Sequence, residues 1–469
     1  MKNNYFLFSL LFGLAVSCAQ SPATSSAQSK IQIASRPNIL LIIADDLTHR
    51  DIGCYGSQNV KTPHIDAIAR EGMRFTRCFQ AAPMCSPTRH NLYTGIYPVR
   101  SGAYPNHAYA RKGTKSVVHH LEKEGYRVGL TGKKHIAPKE SFPFDYLGKG
   151  GDPDLNALEE FMTRDKEQPF CAFVCYREPH TPWDKGDPGI YDPDSIILPP
   201  YLVDTKETRK RLTEYFAEIN HLDNSVGDIR ALLDKHQVAE NTLLIFTSEQ
   251  GNAFPFAKWT CYDNGLQTAF IARWPGHIAA NSSSDAMIEY VDVTPTFVDL
   301  AGGDPIDSLD GRSFLPVLLG QASAHKQYVF GVQTTRGINN GSDHYGIRSI
   351  RSAQFKYVMN LTPEATFQNN VTVNSADWNS FWPTWVDKAK NDPEADELVQ
   401  RFQHRPAEEL YDVITDPYEM NNLAQESEHE EIKKDLRARL LSWMEQQGDR
   451  GQQTEMEALE HKVSFLKQK

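Results

Sequence analysis

Four short apolar runs along the chain each end in a cluster of polar residues. The first run, residues 38–44, is continuous rather than alternating, which predicts a central strand of a parallel sheet that is buried on both faces. Amphipathic segments lie between the runs, and the apolar stripe of residues 206–236 predicts a long helix. Strands that alternate with helices predict an α/β fold. The other three runs are residues 126–130, 170–176 and 242–246.

The polar residues that follow these runs are expected to lie together, because ligands of open α/β sheets collect at the carboxyl ends of the strands. Asp45-Asp46 follows the first run, and two adjacent carboxylates there are costly unless they bind a cation. Lys133 and His135 follow the second run, which suits an oxyanion such as sulfate. His180 follows the third run, and Glu249-Gln250 ends the fourth.

The segment Cys85-Ser86-Pro87-Thr88-Arg89 has the pattern Cys-x-Pro-x-Arg and leads to Thr94-Gly95. Pro87 fits the first turn of a helix. Cys85 is then expected just before the helix, where backbone N–H groups favour negative charge. Arg89 lies four residues on, so its guanidinium returns to the same end. A reactive side chain beside an anion site and a cation predicts attack on an oxyanion ester.

This segment resembles the signature of type I sulfatases in the alkaline-phosphatase superfamily, although Thr88 departs from the usual Ser or Ala. Two later segments are similar to that family in the same order, Gly132-Lys133-Lys134-His135 and Pro179-His180-Thr181-Pro182. The doubled lysine is most similar to the heparan N-sulfatase (sulfamidase) branch. The resemblance covers about residues 36–446.

The resemblance implies one Ca²⁺ and a modified cysteine. A maturation enzyme that reads the motif is expected to oxidise Cys85 to formylglycine (3-oxoalanine), whose hydrated aldehyde attacks sulfur. Glu249 and Gln250 stand where the family most often has Asp followed by Asn or His, and each is one methylene longer. The flexible oxygen shell of calcium tolerates such a difference. The implied metal ligands are Asp45, Asp46, Cys85, Glu249 and Gln250.

The resemblance also implies roles for the basic residues. Lys133, His180 and Lys258 are expected to bind the sulfuryl oxygens, and Arg89 eases ionisation of the nucleophile. Either His180 or Lys258 would protonate the leaving group, and His135 is a candidate base. Two further residues, His107 in the loop 104–112 and Arg336 in the loop 334–345, are predicted to contact the sugar.

The implied fold is an alkaline-phosphatase-like mixed, mostly parallel sheet sandwiched by helices, with a smaller C-terminal α+β subdomain on an antiparallel sheet. The catalytic domain is predicted to span residues 36–325, and the subdomain residues 326–447. Residues 448–469 form a polar tail that is expected to be peripheral.

Residues 1–18 are predicted to be an export signal, since Lys2 is followed by an apolar run too short to span a bilayer. Ala15-Val16-Ser17-Cys18 resembles a bacterial lipobox, which predicts a lipid anchor on Cys18 and a periplasmic or surface location in the cell envelope. Ordinary signal cleavage is the alternative. Residues 19–35, rich in Ser, Ala and Gln, are predicted to be a flexible tether.

The net charge of −11 argues against nucleic acid as a partner and requires that an anionic substrate be attracted by a local basic cluster. The resemblance implies hydrolysis of a sulfated polysaccharide, either algal such as ulvan or of heparan type. One alternative is an N-sulfoglucosamine sulfohydrolase. The others are a phosphatase or phosphodiesterase of the same superfamily, with a Ser or Thr nucleophile and two zinc ions, and a non-catalytic glycan-binding relative.

Overall fold

The computed structural model describes residues 36–372 and 380–461, together with Met1. The predicted export signal with Cys18 and the predicted tether 19–35 lie outside the described residues. Within the described part of the chain, no helix combines the length and the apolar character needed to cross a bilayer.

The larger sheet is built around strand β1, which pairs in parallel with β5 on one side and β6 on the other. Most of this sheet is parallel, and β7 runs antiparallel between β6 and β2. Among the described residues its order is β4-β3-β5-β1-β6-β7-β2-β8, and β9 pairs with β2. Its strands are β1 Asn38–Asp45, β2 Met73–Phe79, β3 Arg127–Gly132, β4 Asp145–Leu147, β5 Phe170–Cys175, β6 Thr242–Glu249, β7 Gln267–Arg273, β8 Ser282–Ser284 and β9 Ile288–Glu289.

Helices cover both faces of this sheet, which explains the continuous apolar run of β1. Leu40 and Ile42 belong to one apolar cluster, whereas Ile39, Leu41 and Ile43 belong to another. Successive side chains of a strand point to opposite faces, so each face of β1 has its own core. The helices that precede the smaller sheet are α1 Pro63–Arg70, α2 Cys85–Thr94, α3 Pro98–Ser101, α4 Val117–Lys123, α5 Leu155–Thr163, α6 Lys206–Lys235, α7 Asp263–Leu266, α8 Val293–Leu300 and α9 Leu315–Leu318.

The second sheet is antiparallel, with the order β10-β11-β12-β13 in the described region. Together the two sheets confirm the predicted fold class, a mostly parallel sheet between helices followed by an α+β subdomain. Its strands are β10 Val329–Thr334, β11 Gly346–Arg351, β12 Phe355–Asn360 and β13 Glu408–Asp412, and the remaining helices are α10 Phe381–Ala389, α11 Pro393–Gln403, α12 Glu430–Gln447 and α13 Gln452–Glu457.

The tail was expected to be peripheral, and this expectation is wrong for the described residues after α12. Asp449 and Glu455 are buried, and both form ion pairs with the buried Arg348 of β11. Ala458 is also fully buried. The segment 449–461, called here the C-terminal brace, is polar in composition but packs into the protein because Arg348 supplies the compensating charge.

Candidate active site

The predicted site residues meet where neighbouring parallel strands end. Asp45 of β1 lies opposite Glu249 of β6 in the sheet register, and the Asp46 N–H donates to the Glu249 carbonyl at 3.2 Å. Lys133 follows β3 and its N–H donates to Cys175 O of β5 at 2.9 Å. Gly132 permits this approach, because a Cβ at that position would lie 2.1 Å from the same carbonyl oxygen.

Each of three buried carboxylates pairs with one cation. The pairs involve side chains that come from distant parts of the chain, and burial makes a missing partner costly. They are Asp45 with Lys133, Asp46 Oδ2 with Lys258 Nζ at 2.6 Å, and Glu249 Oε1 with Arg89 Nη2 at 2.7 Å. Three acidic and three basic groups therefore balance within the site.

Gln250 connects the carboxylates to Cys85. Its Nε2 lies within hydrogen-bond distance of three acceptors, Asp45 Oδ1 at 3.1 Å, Asp46 Oδ1 at 2.7 Å and Cys85 Sγ at 3.1 Å, for its two N–H groups. Its Oε1 is buried without a hydrogen-bond partner in the described structure, as is Glu249 Oε2. A flip of the Gln250 amide would exchange its nitrogen and its oxygen. Gln250 Oε1 would then face Asp45 Oδ1 and Asp46 Oδ1, and the space between the three side chains would be lined by oxygen atoms.

Cys85 is the first residue of α2, and Met84 is its N-cap. The sequence predicted Cys85 just before the helix, so the prediction is off by one position while the placement at the helix N-terminus is correct. Burial, followed by the charge of Asp45, raises the pKa of the Cys85 thiol to about 12. Because the thiolate is the nucleophilic form, an unmodified Cys85 is a poor nucleophile at neutral pH.

Arg89 contacts two other residues of the charge cluster, Glu249 and Lys133. It is fully buried and donates from Nε and Nη2 to Glu249 Oε1 and from Nη1 to Lys133 O at 2.6 Å. Burial raises the pKa of Glu249, and the charge of Arg89 opposes this rise. Burial also opposes the ionisation of Asp45, but Lys133, His180 and Arg89 together hold its pKa well below the usual range.

Four residues of the site region have left-handed backbone conformations, which are uncommon for residues other than glycine. Such strain clusters at functional sites, where the surrounding structure holds it. The φ values are 66° at Asp46, 35° at Gln250, 51° at His135 and 60° at His107.

The sulfatase family model matches residues 37–153 and 153–303, more than half of the chain. The chain belongs to the sulfatase family. It is therefore a sulfuric ester hydrolase. A second family model, the C-terminal region of N-sulphoglucosamine sulphohydrolase, matches residues 251–368.

Two relatives cover most of this sulfatase. A protein of Formosa agariphila named ulvan-active sulfatase is 34% identical over 443 residues, which cover 92% of this chain and 84% of the relative. The human N-sulphoglucosamine sulphohydrolase is 26% identical over 471 residues, which cover 87% of this chain and 90% of the relative.

Solved structures confirm the fold of the sulfatase. One, a complex with its substrate D-glucosamine-2-N,6-O-disulfate, has a TM-score of 0.68 and 21% identity, and covers 89% of this chain and 99% of its own. The phosphonate monoester hydrolase of Agrobacterium radiobacter has a TM-score of 0.67 and 20% identity, and covers 88% and 96%. The fold alone therefore does not distinguish sulfate esters from phosphorus esters.

A cleft of about 410 Å³ opens over the charge cluster of the sulfatase. Asp45, Lys133 and His180 form its inner end. His180 Nδ1 donates to Thr181 O at 2.6 Å, so its Nε2 is the free nitrogen and lies 3.7 Å from Asp46 Oδ2. Lys258, in contrast, is only 4% exposed. His180 thus lines the cleft, and Lys258 is buried against Asp46.

The two residues predicted to contact the sugar lie in loops that approach each other closely, since a Cβ added at Gly337 would lie 2.5 Å from Asn106 O. His107 Nδ1 and His135 Nε2 are 2.8 Å apart. Arg336 contacts Asp343 at 2.9 Å and His344 at 2.6 Å. The structure thus brings His107 beside a predicted catalytic residue, whereas the contacts it gives Arg336 stay within its own loop.

Sequence reasoning missed the outer wall of the cleft. This wall carries five charged residues that had no predicted role. The signal for one of them was present, since Arg177 lies two residues after β5, at the same strand end as His180. They are Asp152, Arg177, Glu178, Asp184 and Lys185.

Proposed function

We propose that this sulfatase removes sulfate groups from a sulfated polysaccharide or its oligosaccharides, with formylglycine at position 85 and one Ca²⁺. The observation that carries the proposal is the convergence of Cys85 with three buried carboxylates, Gln250 and three buried or half-buried cations. Asp45 and Lys133 of this cluster line the cleft. A wholly structural cluster has no need of a cysteine at a helix N-terminus in contact with an amide that also binds two buried carboxylates.

The donor set fits Ca²⁺. Glu249 Oε2 and Gln250 Oε1 are buried oxygens without partners among the described residues, and Asp45 and Asp46 present further oxygens to the same region. Ca²⁺ takes oxygen ligands with flexible geometry. Asp45, Cys85 and His180 also place ligand atoms within 4.8 Å of one another. Oxidation of Cys85 would replace its sulfur with oxygen and favour a hard cation.

When present, formylglycine supplies a hydroxyl nucleophile, and calcium supplies positive charge that favours its ionised form. With the carboxylates occupied by a divalent cation, the ammonium groups of Lys133 and Lys258 become available to the sulfuryl oxygens. Both are positioned for this, since each already contacts one of the paired aspartates. Their charge stabilises the oxygens of the transferring group in the transition state.

His180 is the proposed acid for the leaving oxygen, because it lines the cleft from which the sugar enters. Its Nδ1 donates to Thr181 O, so the doubly protonated ring would give up the proton on Nε2. Lys258 is nearly buried and serves the sulfuryl group instead. Arg89 holds Glu249 and the Lys133 backbone in place. His135, in contact with His107, is the proposed base for the later proton transfer.

The substrate is proposed to be either an algal polysaccharide such as ulvan or an N-sulfated glucosamine of a heparan-type chain. The name of the Formosa relative supports the first, and the name of the human relative and the second family model support the second. Export with a lipid on Cys18 would bring the enzyme to such a polymer at the cell envelope, and labelling with a fatty-acid analogue in wild type and Cys18→Ala tests this.

The deciding experiment compares sulfate release from 4-methylumbelliferyl sulfate and from defined ulvan and heparan oligosaccharides. Enzyme matured by co-expression with a formylglycine-generating enzyme is expected to release sulfate, and Cys85→Ala and chelated enzyme are not. Mass analysis of the peptide that contains residue 85 reports maturation directly. Release of phosphate from the matching phosphate ester, with no release of sulfate, would instead identify the phosphatase alternative.

A further inference from the structure

The outer wall of the cleft has a cation without a partner. Arg177 is exposed, lines the cleft, and its guanidinium has no hydrogen bond or ion pair within the described residues. The two lysines on the cleft are engaged. Lys133 pairs with Asp45, and Lys185 pairs with Glu178 and with Asp152 at 3.2 Å.

The backbone of Arg177 is held firmly beside the reaction centre. Tyr176 N donates to Ile43 O at 2.9 Å, and Asp45 N donates to Glu178 O at 3.1 Å, so the residues on both sides of Arg177 are bonded to β1. Tyr176 and Glu178 are buried while Arg177 is exposed. Arg177 is thus the exposed residue between two buried neighbours, and it lines the cleft.

Lys185 also lines the cleft, but it differs from Arg177 because its backbone and its ammonium group are both held by carboxylates. Buried Glu218 of α6 accepts from the backbone N–H of Asp184 at 2.7 Å and of Lys185 at 2.5 Å, which fixes the segment that carries Lys185. The Lys185 ammonium is then neutralised by two carboxylates. Arg177 is the cationic group of the cleft that remains for a ligand, as far as the described residues go.

We propose that Arg177 binds a second oxyanion of the substrate, a carboxylate or an additional sulfate, while the scissile sulfate lies at Lys133 and His180. This inference rests on the proposed function and specifies its substrate class: a glycan with at least two anionic groups. A guanidinium suits both oxyanions because its planar fork donates two parallel hydrogen bonds. With a chain charge of −11, one unpaired cation at the cleft also counters general repulsion of a polyanion.

The test uses Arg177→Gln and a matched control, Lys166→Gln. Lys166 is exposed and precedes the amino end of β5, whereas Arg177 follows its carboxyl end. The control therefore removes the same charge at the end of the strand that is far from the cleft. The substrates are 4-methylumbelliferyl sulfate, which has one anionic group, and a sulfated disaccharide that contains a uronate. Arg177→Gln is expected to lower kcat/KM for the disaccharide about tenfold, mainly through KM, since one charge-assisted contact is lost.

Neither variant should change hydrolysis of the aryl sulfate, and added salt should shrink the difference on the disaccharide. Disaccharides with the carboxyl group reduced, or with the second sulfate removed, identify the oxyanion, because the effect of Arg177→Gln disappears when its partner is absent. Equal losses on both substrates, or wild-type kinetics on the disaccharide, would overturn the inference. Failure of the proposed function is seen separately, as absence of aryl sulfate hydrolysis in the matured wild type.

Discussion

Replacing Arg348 with methionine is expected to release the C-terminal brace. Arg348 is fully buried, and its Nη2 donates to Asp449 Oδ1 at 3.2 Å and to Glu455 Oε1 at 2.8 Å. Methionine fills much of the same volume but leaves two buried carboxylates without their cation. Breaking a buried pair by removing one partner costs about 3–5 kcal/mol, and burial already raises the pKa of Glu455.

The consequence reaches the substrate loops. Tyr104 Oη donates to Thr454 O at 2.7 Å, Tyr109 N donates to His461 O at 2.9 Å, and His344 Nδ1 lies 3.1 Å from Glu455 O. The brace therefore contacts both loops that carry the predicted sugar contacts. Arg348→Met is expected to raise KM for an oligosaccharide more than for a small aryl sulfate.

Thermal unfolding alone is an insensitive assay for the effect of Arg348→Met. For a folded region of roughly 400 residues the entropy of unfolding is about 0.9 kcal/mol per degree, so a loss of about 4 kcal/mol lowers Tm by only about 4 °C. Hydrogen exchange of the amides in residues 449–461 measures the local opening directly. Wild-type exchange in that segment, with an unchanged Tm, would refute the reasoning.

Two further variants isolate the cause. Arg450→Met removes a neighbouring arginine whose ion pair with Glu457 is 53% and 38% exposed, so it should cost less than about 1 kcal/mol. Adding Asp449→Asn and Glu455→Gln to Arg348→Met should restore part of the lost stability, because no buried charge then remains unpaired. A triple variant no more stable than the single one would show that unpaired carboxylates are not the cause.

Three other predictions concern the charges around the cleft. Glu249→Gln should raise the calcium concentration for half-maximal activity at least about tenfold, since one carboxylate charge is lost; an unchanged requirement in a calcium titration would exclude Glu249 as a ligand. Burial raises the pKa of Glu218 from 4.5 to about 7, so its ionisation over that range destabilises the folded state. Glu218→Gln should therefore gain Tm relative to wild type as pH rises from 5 to 8, and a constant difference would contradict this. Inorganic sulfate should bind more tightly with calcium than with chelator, because Lys133 and Lys258 are then freed from their carboxylates; titration calorimetry giving equal affinities would contradict this.

The sequence predicts a strand well when both of its faces are buried. It predicts a strand poorly when the strand forms because it pairs with partners far along the chain. β1, β5 and β6 are continuous apolar runs, and the structure confirms all three. β2 was missed because it contains Arg74 and Arg77 among its apolar residues. β7 was also missed, since its antiparallel place between β6 and β2 depends on partners far along the chain.

The centre of the site follows from the same logic. Parallel strands end at one edge of the sheet, so Asp45, Lys133 and Glu249 could be placed together before any coordinates. Lys258 required the family resemblance, because it lies beyond β6 in a segment without regular pattern. Which carboxylate pairs with which cation depends on side-chain reach, and local sequence does not contain that information.

The C-terminal brace shows a physical limit to the prediction of burial from sequence. Asp449 and Glu455 belong to a polar stretch, and burying a carboxylate is unfavourable unless a cation accompanies it. That cation is Arg348, 101 residues before Asp449 in the chain and on a different element. The same rule governs the reaction centre, where each buried acid has a distant basic partner. A polar segment can therefore be predicted to be exposed only when every buried charge elsewhere in the chain already has a partner of opposite charge.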